Sequence, residues 1–228
     1  MKQRAEVARL AQEIRSRLGE LPDANTATLR AMRREFSRSI KDATPDIVLQ
    51  TTLLLLQERT DRVRFVAYEI VSHHKPTLEK VDLSDLMKLG DGLNSWSSVD
   101  CFALYLSGPV WLQGRVPDQA VLAWAQSEDR WWRRASLVST VALSRHGKPE
   151  DIGKAIDVFA LLVTDRDDMV VKALSWALRE LAKKHPKQAR EFLRGHREEL
   201  GARVLREVEN KLTIGLKTPR RGAGTKHI

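Results

Sequence analysis

Apolar residues recur along this chain three or four positions apart, the spacing of one helix face, and the strict alternation expected of a strand is absent. In DDMVVKALSWALRELAKKHP, starting at Asp167, the set Val170, Leu174, Ala177 and Leu181 lines one face, with Val171 and Leu178 at its border. In DRWWRRASLVSTVAL, starting at Asp129, Trp131, Ala135, Val138 and Ala142 form a comparable stripe predicted to face a core. The pattern predicts about eleven or twelve helices and no sheet. Thr44-Pro45-Asp46, Ser84-Asp85, Pro117-Asp118 and Pro149-Glu150-Asp151 read as helix starts. Gly90, Gly92, Gly108-Pro109 and Gly147 read as stops.

Three segments resemble one another: DRVRFVAYEIV at Asp61, DRWWRRASLVS at Asp129 and DDMVVKALSWA at Asp167. Each opens on an acid suited to a helix N-terminus and carries an alanine six residues on, Ala67, Ala135 and Ala173, where a small side chain lets another helix approach. A unit holding SWSSVDCFALYL fills the gap between the first two. A period of roughly 35–40 residues with paired helices is the signature of a HEAT-like array. The expected fold is therefore all-α, a right-handed α-solenoid with a concave basic surface. Residues 1–216 are expected to form a single domain, followed by a basic, disordered tail at 217–228.

Some residues do not fit the core stripes. In NSWSSVDCF, residues 94–102, Trp96 and Asp100 are four apart and share a helix face. Val99, Phe102, Ala103 and Leu106 are the better core set, which displaces that pair to one flank. Trp176 has Lys172, Ala173, Arg179 and Glu180 as its helical neighbours, so its indole is either wedged against an adjacent helix or exposed in a groove. Arg133 and Arg134 emerge beside Trp131 and Trp132. Arg134 sits at the stripe's edge, read either as a snorkelling surface residue or as a phosphate clamp. A carboxylate beside an indole is costly to bury unless a cation offsets it.

Composition narrows the classes of partner. The formal net charge is +9, and removing the tail KTPRRGAGTKHI, which carries four Lys and Arg and no acids, still leaves the body at +5. Such a surplus favours a polyanion, nucleic acid first. A single cysteine, Cys101, leaves no disulfide framework and fits a reducing cytoplasm. Cys and His are too few and scattered for a metal site, and His73-His74 point about 100° apart on a helix. No apolar run approaches the eighteen or so residues of a membrane span. Cys101 reads as a small core residue, and the segment 196–212 as an amphipathic capping helix.

With these residues in view, the sequence resembles the AlkD-like DNA alkylation repair family, bacterial DNA glycosylases built of HEAT-like repeats. The resemblance lies in SWSSVDCFA (95–103), DRWWRRASLVST (129–140) and above all VKALSWALRELAKKHP (171–186), and extends more weakly over about residues 26–216. LRAMRREFSRSIKDATPD is a poor match to the family's aromatic-rich opening, and Ser97 stands where an acid often follows the first tryptophan. The resemblance implies that Trp96, Asp100 and Trp176 face the lesion and that Arg134 contacts DNA, with Arg133, Lys172 and Arg179 around it. It implies a monomeric, cofactor-free cytoplasmic enzyme that binds duplex DNA and releases cationic N3- or N7-alkylated purines. The alternatives are a non-catalytic DNA-binding or damage-sensing solenoid and a protein-interaction scaffold; the scaffold would bury both tryptophans between helices.

Overall fold

The computed structural model describes residues 2–219, which form helices and no strand. In chain order these are α1 Lys2–Gly19, α2 Thr26–Ser39, α3 Pro45–Leu56, α4 Asp61–His73, α5 Lys75–Leu78, α6 Leu83–Leu89 and α7 Trp96–Phe102. A π-helical stretch, Ala103–Ser107, continues α7 directly into α8 Gly108–Leu112. Then follow α9 Asp118–Ala125, α10 Arg130–His146, α11 Pro149–Leu161, α12 Asp168–Lys184, α13 Pro186–Gly195 and α14 Ala202–Ile214.

The helices lie in two layers. One contains α2, α4, α7, α10, α12 and α14, each packed on the next. Their N-caps are Asn25, Thr60, Ser95, Asp129, Asp167 and Gly201, at intervals of 34 to 38 residues. Most of these caps are Ser, Thr, Asn or Asp, whose side-chain oxygens satisfy the first free backbone N–H groups. Ser95 accepts from the Ser98 amide at 3.1 Å, and Asp129 and Asp167 each accept two residues on at 2.8 Å. The other layer holds the intervening helices, with α3 against α4, α11 against α10 and α13 against α12. This is the stacked-pair organisation of a helical-repeat solenoid.

Ala67, Ala135 and Ala173 are fully buried, as close helix approach requires. Their registers differ by one: Asp129 and Asp167 are caps, whereas Asp61 is the first residue of α4 behind the cap Thr60. The expected stop at Gly108-Pro109 is absent. The chain stays helical there, and Gly108 serves packing: a Cβ on it would lie 2.8 Å from the Ser139 carbonyl and 3.1 Å from the Ala142 side chain. Alongside, the Ser107 and Ser139 hydroxyls meet at 2.6 Å. The α6 helix begins one residue before the expected Ser84, because Asp82 rather than Ser84 caps it in a reciprocal box with Asp85. The tail at 217–228 falls mostly outside the described residues.

Two hydrophobic clusters meet at α4. Val63, Val66 and Ile70 join the α1–α3 side, while Ala67, Tyr68 and Val71 join the larger cluster that runs to Val208. In α10 every residue from Arg134 to Val141 is buried, so that helix is enclosed on more sides than a single stripe implies. Ala142 and Trp131 lie only partly buried at its margin, while Trp132 packs edge-on to Phe102 and against Trp124.

Candidate functional site

The short helix α7 positions the first pair. Val99, Phe102, Ala103 and Leu106 are sealed in the core, which fixes the roll of the helix and turns Trp96 outward. Trp96 is 59% exposed, far from the usual state of a large indole. One turn further along, Asp100 keeps 16% of its side chain accessible and points across to α10.

Its partner there is Arg134. The guanidinium Nε donates to one oxygen of Asp100 at 2.9 Å and Nη2 donates to the other at 2.8 Å, a fork-on-fork pair. Nη1 donates to the Met169 carbonyl in the first turn of α12 at 2.6 Å. One arginine thus ties together α7, α10 and α12. With its side chain only 6% exposed, Arg134 does not snorkel as a surface residue. The pair stays solvated on the Asp100 side alone. Burial pushes the Asp100 carboxyl above its ordinary range, and Arg134 pulls it part of the way back.

Trp176 lies two turns beyond Met169 on α12, about 10 Å further along the helix axis. It is partly buried and packs against the main core cluster, between the two expectations for it. The cations expected near DNA are all engaged within the protein. Arg133 donates to Asp165 at 2.7 Å and to the carbonyls of Ser127 and Glu128. Lys172 pairs with Asp168 at 2.6 Å, and Arg203 with the same carboxylate at 2.7 Å. Arg179 reaches Ser175 at 3.4 Å and lies 3.9 Å from Glu207. The two pairs on Asp168 are exposed and cost little to exchange for a phosphate, whereas Arg133–Asp165 and Arg179–Glu207 are largely buried. Cys101, next to Asp100, is half-buried, and its thiol is pushed up to about 12, mainly by burial and then by Asp100.

Sequence reasoning missed a second polar group in this layer. Glu69, buried on α4, accepts from Arg30 at 2.8 Å and Arg33 at 3.1 Å. Arg30 also donates to the Tyr105 hydroxyl at 3.0 Å and lies 5.5 Å from the Phe65 ring centroid. Two cavities of about 550 and 760 Å³ lie elsewhere, one lined by Val7 and Leu53 and the other by Met87 and Arg115, and neither includes Trp96, Asp100 or Trp176.

The sequence profile of a family described as DNA alkylation repair enzyme matches residues 6–212. The chain belongs to that family. The match runs from α1 into α14 and spans both tryptophans and the Asp100–Arg134 pair. Among solved structures, the chain is similar to smu.31 from Streptococcus mutans UA159, with a TM-score of 0.59 over 92% of this chain and 98% of that one. At 18% identity this likeness speaks for the fold alone. No curated protein matches the chain.

Proposed function

We propose that this member of the family is a DNA glycosylase that hydrolyses the N-glycosidic bond of cationic N3- or N7-alkylated purines. The observation that carries the reading is an outward-facing indole, Trp96, one helical turn from a carboxylate, Asp100, whose orientation Arg134 fixes. Alkylation at N3 or N7 gives the base a positive charge. As the C1′–N9 bond breaks, its electron pair moves to the base, which becomes neutral, and the positive charge passes to the sugar. Water then adds to C1′ and releases a proton to solvent.

Asp100 is suited to the electrostatic part of that sequence. Both its oxygens already accept from Arg134, and each retains acceptor capacity for a water or a C–H edge of the sugar. Arg134 occupies both oxygens and opposes the upward push of burial on the carboxyl, so Asp100 serves as a preorganised negative charge that holds the water in place. Fixed charges of this kind contribute roughly 3–4 kcal/mol to a transition state. An indole face adds about 0.5–2 kcal/mol toward a cation. The base already leaves well, so no acid need protonate it. The exposure of Trp96, and cavities that open elsewhere, favour contact with the lesion from the outside over a deep base pocket.

A second reading has its own support. The Asp100–Arg134 pair is also what a structural strut between repeats looks like, as expected of a non-catalytic damage sensor. Incubating the protein with N-methylated duplex DNA and measuring released bases separates the two readings. The enzyme releases 3-methyladenine or 7-methylguanine above the spontaneous rate, and the sensor only binds.

A further inference from the structure

A second carboxylate is hydrogen-bonded to the end of α7 that carries Trp96. Asp61, the first residue of α4, accepts a hydrogen bond from the Ser95 hydroxyl at 2.6 Å and another from the Ser97 hydroxyl. These two serines are the residues immediately before and after Trp96 in the chain. Asp61 is exposed, and α4 packs directly on α7. The N-terminal end of α7, which carries Trp96, is therefore bonded to Asp61 on its α4 side, while Asp100, one turn on, is bonded across to α10.

The two acids differ in one respect that matters. Asp100 is matched by a bidentate arginine, whereas Asp61 has no ion pair with any described lysine or arginine. The arginines nearest to it in sequence are committed elsewhere. Arg59 pairs with Asp91 at 3.5 Å, Arg62 donates to the carbonyls of Leu18 and Leu21, and Arg64 donates to Tyr68 and to the carbonyls of Asp91 and Gly92. What holds Asp61 is two neutral hydroxyls at the N-terminal end of α4, neither of which brings a countercharge. An uncompensated negative charge on a surface meant to approach phosphates is unfavourable by itself. It becomes useful where the ligand is locally positive.

We infer that Asp61 is a specificity-determining residue: it gives the Trp96 face a negative potential that selects positively charged nucleosides over neutral ones. This rests on the glycosylase reading and names the residue that reads the charge. A carboxylate beside an indole face is the combination that aromatic cation sites use. Asp100, already balanced by Arg134, is left to act on the sugar.

The test is binding of the full-length protein to three duplexes. One is undamaged, one carries a neutral tetrahydrofuran abasic analogue, and one carries a pyrrolidine analogue that is cationic at neutral pH. The wild type should prefer the pyrrolidine duplex. Asp61→Asn keeps an oxygen for the serine hydroxyls and loses the charge. It should weaken pyrrolidine binding roughly tenfold and leave the other two duplexes unchanged or bound more tightly, since a repulsion toward phosphate is removed. Equal weakening on all three duplexes would mean that Asp61 is only a clasp, and the inference would fall. A cationic preference that survives in Asp61→Asn overturns it too, while leaving the glycosylase reading intact. A wild type without any such preference points instead at the cation-based reading itself. Should Asp61→Asn melt far below the wild type, Asp61→Glu decides: retention of the preference supports the inference, and its loss in a folded protein overturns it.

Discussion

Arg134 holds both oxygens of Asp100, at 2.8 and 2.9 Å, across the gap between α7 and α10. The pair fixes where the charge sits and offsets part of the cost of burying it. Asp100→Asn keeps the size of the side chain and removes the charge. It should lower the single-turnover rate of base release roughly 100- to 1,000-fold, in line with the loss of one preorganised electrostatic contact. Affinity for an abasic-analogue duplex should change less than fivefold. Rapid-quench kinetics beside fluorescence anisotropy measures both, and equal losses in the two would assign Asp100 to binding.

The same pair sets the pH dependence. Burial raises the Asp100 carboxyl above the ordinary range, with Arg134 opposing. Activity that needs the ionised form therefore falls on the acid side, with a midpoint above that of a free aspartate. Arg134→Gln removes the opposing cation and leaves the burial, so the acid limb should move to higher pH. Because the folded-state pKa is raised, the associated stability is present below the ordinary carboxylate range and lost as pH rises through the raised value. A pH–rate profile of the two proteins checks this. A limb that stays in place would show that another group controls it.

Much of this architecture was legible, because the code for it is local. N-caps and apolar spacing gave the helices, and Ala67, Ala135 and Ala173 marked the repeat, since a small residue at a close approach is needed in each unit. The pairing of Asp100 with Arg134 was not read, although a signal existed. The two residues are 34 apart, about one repeat. Arg145 and Glu180 are 35 apart, Arg133 and Asp165 are 32 apart, and Asp168 and Arg203 are 35 apart, and each of these pairs is bonded. Opposite charges one period apart bridge stacked units, and a helix-by-helix reading treats each as an isolated surface charge. Asp61 escaped for the opposite reason. It looked like a helix-start acid, which it is, and only the fold brings Ser95 and Ser97 to it.

Gly108 tests the packing that carries α7. A methyl group there meets two backbone carbonyls, of Ser139 at 2.8 Å and Ala103 at 2.9 Å, neither of which can swing aside as a side chain tip could. Gly108→Ala should cost about 1–3 kcal/mol. For a domain of this size that corresponds to a drop of several degrees in Tm, at roughly 2–4 °C per kcal/mol. Calorimetry checks it. A Tm equal to wild type would mean that α8 and α10 separate without penalty.

The two tryptophans should respond differently to substitution, because one is a surface group and the other partly structural. Trp96 is 59% exposed, so replacing it removes little buried area and should shift stability by no more than about 0.5 kcal/mol. In the proposed glycosylase its contribution is to the lesion, where the chemistry of the ring should matter more than its bulk. Trp96→Phe keeps a weaker π face, and Trp96→Leu keeps apolar volume with none. Excision of 7-methylguanine should therefore fall in the order Trp, Phe, Leu, with roughly a 2- to 30-fold range spanning a cation–π contribution of about 0.5–2 kcal/mol. Trp176 packs on the core cluster, so Trp176→Leu should lower Tm measurably as well as activity. If Trp96→Leu matched Trp96→Phe in rate, the indole would be acting as a hydrophobic wedge against the duplex, and the cation argument for that ring would fail.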